Sequence, residues 1–207
     1  MQGQPISSST LLQQLLSYKA VSVVNEDLAG VLSMHDIPVK IGDLESNVAA
    51  TTLTDENGGS VIVINRRTLD VASNAKIADA ILHEVIHALT VPAIDNPTTA
   101  EDREFARIND RTFSRFDRLA RKMHIFEPIL NNQKEFVSYF VSDKNQRQVV
   151  YNMAKNADIK DQKSIKQILK SFVNAITKRI LGSKAFLTNQ ESLQRYEKAV
   201  KDYLYNK

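Results

Sequence analysis

The chain has 207 residues, of which 43% are hydrophobic and 25% are charged, the size and balance of one globular domain with a small appendage. It contains no cysteine, so disulfides and thiolate metal ligands are excluded, and any metal ion must be held by His, Asp or Glu. The net charge of +3 is unevenly spread. Residues 1–143 hold 13 Lys and Arg against 19 Asp and Glu, whereas residues 144–207 hold 14 against 5, so we expect the two parts to differ in role or partner.

Membrane and export segments are not predicted. The longest apolar runs fall well short of the roughly 20 residues that a membrane span needs. The N-terminal residues lack the basic stretch followed by an apolar one that marks a secretory signal. We therefore expect a soluble protein with no transmembrane segment.

The first third of the chain predicts two helices and then three strands. Leucines spaced by three and four positions indicate a helix around residues 11–16, and a second helix is expected from about residue 26 to 34. Val39–Ile41 alternates as a short strand does. Val48–Thr54 and Ser60–Asn65 are rich in β-branched residues and flank the turn sequence Asp-Glu-Asn-Gly-Gly, so they predict a hairpin.

The rest of the chain is predicted to be helical. From Ala75 the apolar spacing becomes about 3.6, which predicts a helix ending near Pro92, because proline lacks the N–H that a helix interior needs. A loop over residues 94–99 then leads to a helix capped by Thr98 or Thr99. Further helices are expected over residues 133–141, 146–156, 163–181 and 190–204.

The sequence His83-Glu84-Val85-Ile86-His87 lies in the middle of the helix predicted after Ala75. Two imidazoles four positions apart lie about 40° apart around a helix, so both can bind one zinc ion. The glutamate between them is rotated aside, within reach of a metal-bound water that it can deprotonate. This motif predicts a metallopeptidase with His83 and His87 as ligands and Glu84 as the catalytic base.

Two histidines can also fall at this spacing by accident and satisfy local hydrogen bonds. The apolar residues around the motif argue against that alternative, because they predict a largely buried helix in which unpaired imidazoles and a carboxylate would be costly. The predicted hairpin adds a further feature, since an edge strand can pair with an extended peptide substrate. Either of its strands could be that edge.

A catalytic zinc site needs a third protein ligand. The metzincin pattern would place Gly and His three and six residues after the second histidine, but this chain has Thr90 and Ala93 there, so that pattern is excluded. Glu101 and Glu104 are candidates, although the charged residues around them favour a solvated helix face. Glu135 precedes an apolar stretch, where metal coordination and a favourable place at a helix N-terminus are equally good explanations.

The two stretches together resemble those of gluzincin-type zinc peptidases, in which HExxH is followed several tens of residues later by a Glu-Phe-x-x-x-Phe helix. That family includes the catalytic domain of anthrax lethal factor and small domains carried in bacteriophage polypeptides. Here Glu135-Phe136-Val137-Ser138-Tyr139-Phe140 matches the second motif, and residues 59–90 look most like the phage-borne group. The likeness spans roughly residues 10 to 155 and rests mainly on these two motifs.

The resemblance implies that Glu135 is the third zinc ligand. Relatives often have an acidic residue four positions later that can hydrogen-bond a zinc-bound histidine, whereas this chain has Tyr139. We therefore expect another acceptor, such as Asp79 one turn before the first histidine, to take that role. Tyr139 is itself a candidate oxyanion donor, with buried packing as its alternative, and His124 and Tyr151 are further candidates.

The C-terminal part is predicted to be an amphipathic basic helix. Its lysines and Arg179 accompany a regular apolar face, which we expect to pack on the preceding domain or on the last helix. The charged side chains either are simply solvated or bind an anionic partner, a nucleic acid or a membrane surface. The scarcity of aromatic residues among the lysines weakens the nucleic-acid interpretation.

These patterns predict an α+β, zincin-like metallopeptidase domain over residues 1–156, with a small and mostly antiparallel sheet, followed by a basic helical extension over residues 157–207. The predicted activity is zinc-dependent endopeptidase cleavage of a protein or peptide substrate. The alternatives are a non-catalytic structural or cargo protein, for example of a phage particle, and a nucleic-acid-binding module that uses the basic tail. The likeness to phage-borne domains makes the bacterial cytoplasm or a phage virion the expected location.

Overall fold

A computed structural model of the chain describes residues 6–17, 26–182, 198, 201–202 and 204–205. The protein belongs to the α+β class, with mostly helical structure and one small sheet. It divides into two compact units, residues 1–88 and 89–207. The domain division predicted at residue 156 lies within the second unit, between two of its helices, and it stays a prediction.

The first unit contains the sheet. Its elements are β1 (Ile6–Ser7), α1 (Ser8–Ser17), α2 (Glu26–Leu32), β2 (Pro38–Gly42), β3 (Ala50–Thr54), β4 (Ser60–Asn65), α3 (Arg66–Val71) and the first part of α4 (Asn74–Asp95). The predicted hairpin is confirmed as β3 and β4, and its turn is closed by the Asp55 side chain, which accepts from the main-chain N–H groups of Asn57 and Gly59. The sequence patterns did not predict the short elements β1 and α3.

The sheet has the order β1-β2-β4-β3 and is mixed: two of its three strand pairs are antiparallel, in agreement with the predicted mostly antiparallel sheet, and the parallel pair was not predicted. The pairs β1–β2 and β3–β4 are antiparallel, but the central pair β2–β4 is parallel. The chain reverses direction between β2 and β3 and reverses again at the hairpin turn. Strand β4 therefore runs in the same direction as β2, and it lies between β2 and β3. Consequently β3, and not β4, is the edge strand of the hairpin.

Asn65, at the end of β4, holds the connection between β2 and β3 in place. Its side chain is 2% exposed, and its amide nitrogen donates to the main-chain oxygens of Glu45 (3.0 Å) and Val48 (2.8 Å). Its oxygen accepts from the N–H of Arg67 at 3.2 Å and caps α3. One buried side chain therefore closes the crossover loop and starts the next helix.

Helix α4 runs for 22 residues and continues through Pro92 to Asp95, so the predicted end near Pro92 is wrong. Pro92 removes one helical hydrogen bond, to the carbonyl of Ala88. The next carbonyl, that of Leu89, accepts a hydrogen bond of 2.6 Å from Nε of Arg179, which adds a partner from another helix near the interruption. The sequence pattern could not anticipate this partner because it lies 90 positions away.

By length and composition, α4 is also apolar enough to cross a membrane, with a mean hydropathy of 1.4 over its most apolar window. Half of that window is buried inside the protein, and core helices of soluble proteins pass the same test. The expectation that the chain has no transmembrane segment stays a prediction.

The second unit consists of helices around an aromatic core. After α4 it contains α5 (Ala100–Met123), a 3-10 turn (Pro128–Leu130), α6 (Gln133–Ser142), α7 (Lys144–Asn156) and α8 (Ile159–Leu181). Thr99 caps α5 as predicted, in a capping box with Asp102. The rings of Phe116, Phe136, Phe140 and Phe172 are all buried and in contact. The helix predicted over residues 190–204 lies largely outside the described residues.

Candidate metal centre

The HExxH motif lies on α4 because of that helix's apolar pattern. Ile81, Leu82, Val85 and Ile86 are at most 1% exposed, so they fix the helix in the core. The motif histidines share a face one turn apart, since residues at i and i+4 are neighbours on a helix. His87 and Glu84 are 9% and 8% exposed, respectively. Packing of the apolar residues therefore holds Glu84 and His87 in nearly dry surroundings, whereas His83 is partly exposed.

The two histidine rings converge on one point. Nε2 of His83 lies 3.0 Å from Nε2 of His87, and the ring planes are inclined at 72°. The ligand atoms of His83, Glu84 and His87 all lie within 4.8 Å of one another. The two residues that the sequence identified as zinc ligands, and the one identified as base, are therefore together.

This geometry fits a zinc ion. Two imidazole nitrogens bound to one tetrahedral zinc at 2.0–2.1 Å would lie about 3.3 Å apart, close to the observed separation of 3.0 Å. The same separation would suit a hydrogen bond between one protonated and one unprotonated ring nitrogen. The donor set is compatible with both arrangements.

The carboxylate of Glu84 is held by the sheet. Oγ1 of Thr52 donates to Oε2 of Glu84 at 2.8 Å and also lies 3.0 Å from the main-chain oxygen of Glu84. Thr52 is in the middle of β3, so the edge strand and the candidate base are directly connected. Thr52 was not among the predicted site residues, because no local sequence pattern identifies a residue 32 positions from its partner.

Glu135 and Tyr139 belong to the second unit, on α6. Asn132 caps that helix and accepts from the main-chain N–H of Glu135 at 3.0 Å, while the buried Phe136 anchors the helix in the aromatic core. Both predicted site side chains are partly exposed. Nζ of Lys134 lies 2.7 Å from Asp95, the last residue of α4, so the start of α6 is fastened to the C-terminal end of that helix. The roles of Glu135 and Tyr139 stay predictions.

The remaining candidates have varied surroundings. Asp79 is exposed on α4, and its predicted role as a partner of a zinc ligand stays a prediction. His124 ends α5 in the left-handed region, with φ of 56°, and the hydroxyl of Tyr151 donates to the main-chain oxygen of Leu204. Both therefore have structural tasks in the second unit. Glu104 forms a bidentate pair with Arg107 on an exposed face, as the charge pattern indicated.

The predicted amphipathic basic helix is confirmed as α8, which begins four residues earlier than expected. Its apolar face is buried in the second unit, and α8 packs against α5 and α7. Two of its cations are paired with α5, namely Lys178 with Glu101 (2.9 Å) and Arg179 with Asp102 (2.7 Å). Part of the basic charge therefore has a structural role.

Comparison with known proteins identifies no relative. No protein-family model, no curated protein and no solved structure matches this chain.

Proposed function

We propose that this protein is a zinc-dependent endopeptidase in which His83 and His87 bind the metal and Glu84 is the general base. The observation that carries the proposal is the convergence of the two imidazole nitrogens, 3.0 Å apart, beside a nearly buried carboxylate. A buried carboxylate is costly unless a hydrogen bond or a cation compensates for its lost hydration. A divalent ion at the histidines would supply that compensation.

The proposed reaction is hydrolysis of a peptide bond. When bound, zinc would polarise the scissile carbonyl and increase the acidity of the attacking water. Glu84 takes the proton from that water and transfers it to the departing amine, so the base is regenerated in each cycle. The hydrogen bond from Thr52 engages Oε2 of Glu84 and leaves Oε1 without a protein partner among the described residues. One oxygen is therefore held while the other accepts the proton.

The edge of the sheet is the proposed substrate platform. Among the described residues, strand β3 pairs only with β4, so its other side offers main-chain groups to an extended peptide. Thr52, in the middle of that strand, contacts Glu84. A peptide paired with β3 would therefore pass close to the base, and Leu53, which is 51% exposed, would lie beside its side chains.

The zincin-like fold and the third ligand are part of the same proposal. Support comes from the α+β architecture, from a strand edge connected to the HExxH helix and from the Glu135-Phe136 motif. The ion pair between Lys134 and Asp95 also ties the residue preceding Glu135 to the end of α4. We propose that Glu135 completes a site of two histidines and one carboxylate, a common ligand set for catalytic zinc.

The proposal is tested by the metal dependence of hydrolysis. Cleavage of an unfolded protein and of a mixed peptide library would be followed by mass spectrometry, with purified protein, chelated protein and chelated protein given back zinc. We expect cleavage to disappear on chelation and to return with zinc. The variant His87→Ala should be inactive in all three conditions.

A second histidine variant is the control for effects of losing an imidazole that do not involve the metal site. His124→Asn removes another imidazole but keeps a residue type that tolerates the left-handed region, so it should leave cleavage unchanged. Lack of cleavage by zinc-loaded protein that is folded by circular dichroism would contradict the proposal. So would equal activity of the wild type and His87→Ala.

A further inference from the structure

A cleft of about 600 Å³ lies in the second unit, between α7, α8 and the described part of the C-terminal segment. Its volume falls within the range of small-molecule binding sites. The residues that line the cleft include Gln148, Tyr151, Asn152, Lys155, Lys166 and Tyr205. Among the described residues that line it there is no carboxylate, and they include two lysines and two tyrosines.

The two lysines of the cleft are available to a ligand. Lys155 and Lys166 are exposed, and neither forms an ion pair with a described residue. The acidic residues that lie between them in sequence are engaged elsewhere, since Asp158 pairs with Lys122 at 2.8 Å and Asp161 pairs with Arg115 at 2.7 Å. The positive charge of the cleft is therefore not cancelled by its own helices.

Two tyrosines come together in the same cleft. The hydroxyl of Tyr151 donates to the main-chain oxygen of Leu204, which fastens the C-terminal segment to α7 beside Tyr205. Tyr205 is 40% exposed, so part of its ring is accessible. Burial raises the pKa of Tyr151 to about 12 and also raises that of Tyr205, so both phenols are neutral at physiological pH and do not repel an anion.

We propose that this cleft binds a nucleoside phosphate, either free or within a single-stranded nucleic acid, with the base stacked on Tyr205 and the phosphate held by Lys155 and Lys166. An accessible aromatic ring combined with unpaired cations is the arrangement by which proteins hold single strands without reading sequence. The amides of Gln148 and Asn152 provide donors and acceptors for a base edge. The concave shape suits a nucleotide better than a flat bilayer surface.

This inference is independent of the metal centre. The sequence weighs against nucleic-acid binding because few aromatics are interleaved with the lysines of residues 144–207. The fold removes that objection, since Tyr151 and Tyr205 are 54 positions apart in sequence and line one cleft with both lysines.

The test is fluorescence anisotropy of a labelled oligothymidylate of about 12 nucleotides, titrated with the full chain at several salt concentrations. Tyr205→Ala should weaken binding roughly fivefold to a hundredfold, the effect of losing one stacked base, while Tyr205→Phe should bind like the wild type. Replacing Lys155 and Lys166 together by Gln should reduce the slope of log affinity against log salt by about 1.4, or about 0.7 per lost phosphate contact.

The matched control is the pair Lys160→Gln and Lys163→Gln, which removes the same amount of charge from α8, outside the cleft, whereas Lys155 and Lys166 of the cleft lie on α7 and α8. The control pair should keep the wild-type slope. Direct titration with thymidine monophosphate distinguishes a free nucleotide from a strand as the ligand, and binding of either with these variant effects supports the proposal. Absence of binding, equal losses in both lysine pairs, insensitivity to Tyr205→Ala, or binding only to anionic lipid vesicles would overturn it.

Discussion

The buried charged side chains of the two units have different kinds of partner. In the second unit, Asp102 is paired with Arg179, and the guanidinium of the buried Arg147 donates to the carbonyls of Phe140 and Val141 at the end of α6. These charged groups are matched by an opposite charge or by a helix end. In the first unit, the nearly buried Glu84 receives a hydrogen bond from a neutral hydroxyl, and no described Lys or Arg is paired with it.

Under the proposed function, this difference separates polar groups with a structural role from polar groups with a chemical role. In the second unit, Asp102 and Arg179 pair with each other and Arg147 contacts the end of α6, so we assign these charged groups structural roles. The cluster on α4 consists of two imidazoles and a carboxylate. We propose that a metal ion completes this cluster, because zinc sites are built from these residue types.

The largest effect is expected at Glu84. Glu84→Gln keeps the shape and the hydrogen-bonding ability of the side chain but cannot accept a proton. We expect the rate of peptide hydrolysis to fall by roughly 10²–10⁴, the usual contribution of a general base, with zinc content unchanged. Initial rates measured at matched zinc loading check this, and a variant retaining more than a tenth of the wild-type rate would show that Glu84 is not the base.

A smaller effect is expected at Thr52. Thr52→Val removes the hydroxyl that holds Oε2 of Glu84 and keeps the β-branched shape that suits strand β3. Since a hydrogen bond to a charged group contributes about 1.5–3 kcal/mol, kcat should drop roughly tenfold to a hundredfold, with KM and zinc content unchanged. Thr52→Ser should recover most of the loss. An unchanged kcat in Thr52→Val would show that the contact does not position the base.

In the second unit the expected effect is on stability. Hydrogen bonding to the side chain and main chain of Thr99, together with the charge of Arg179, lowers the pKa of Asp102 below its ordinary value of 3.8, against an opposing contribution from burial. The stabilisation by this carboxylate is therefore present above about pH 4 and is lost as the pH falls through the lower folded value. Asp102→Asn should cost roughly 1–2 kcal/mol at neutral pH.

Urea unfolding at about pH 7 and about pH 3 tests this pH dependence. The difference in free energy of unfolding between wild type and Asp102→Asn should shrink at the lower pH, because the wild-type carboxylate is then losing its charge. A difference that is constant across this range would contradict the assigned role of the charge.

The smallest effect is expected at the neighbouring exposed pair. Lys178 and Glu101 join the same two helices as Arg179 and Asp102, but both side chains are 70% exposed. Water screens such pairs, so Lys178→Gln should leave the urea midpoint unchanged within error. A loss as large as that of Asp102→Asn would show that the distinction between buried and exposed pairs is wrong for this unit.

Local patterns predicted most of the elements and the centre of the site. The hairpin, the cap at Thr99 and the HExxH helix each depend on residues close in sequence, and the structure contains all three. Helix α4 differs from its prediction at its C-terminal end, because it continues through Pro92 to Asp95. Near Pro92, the distant residue Arg179 donates a hydrogen bond to the main-chain oxygen of Leu89. Propensity is a local quantity and does not include such contacts.

Features that depend on distant residues were not predictable in the same way. Contact between Thr52 and Glu84 requires the position of β3 relative to α4, and the parallel pairing of β2 with β4 requires the crossover that Asn65 holds. The cleft with Tyr151 and Tyr205 likewise exists only after α7 and the C-terminal segment meet. No spacing rule links these residues along the chain.

The most direct test of the metal centre is zinc content per chain after equilibration with zinc and dialysis. The proposed site predicts about one zinc in the wild type and in Glu84→Gln, none in a variant with both His83→Ala and His87→Ala, and a large loss in Glu135→Ala. Absence of zinc from the folded wild type, or full retention in the double histidine variant, would contradict the assignment of the cluster on α4 as a zinc site.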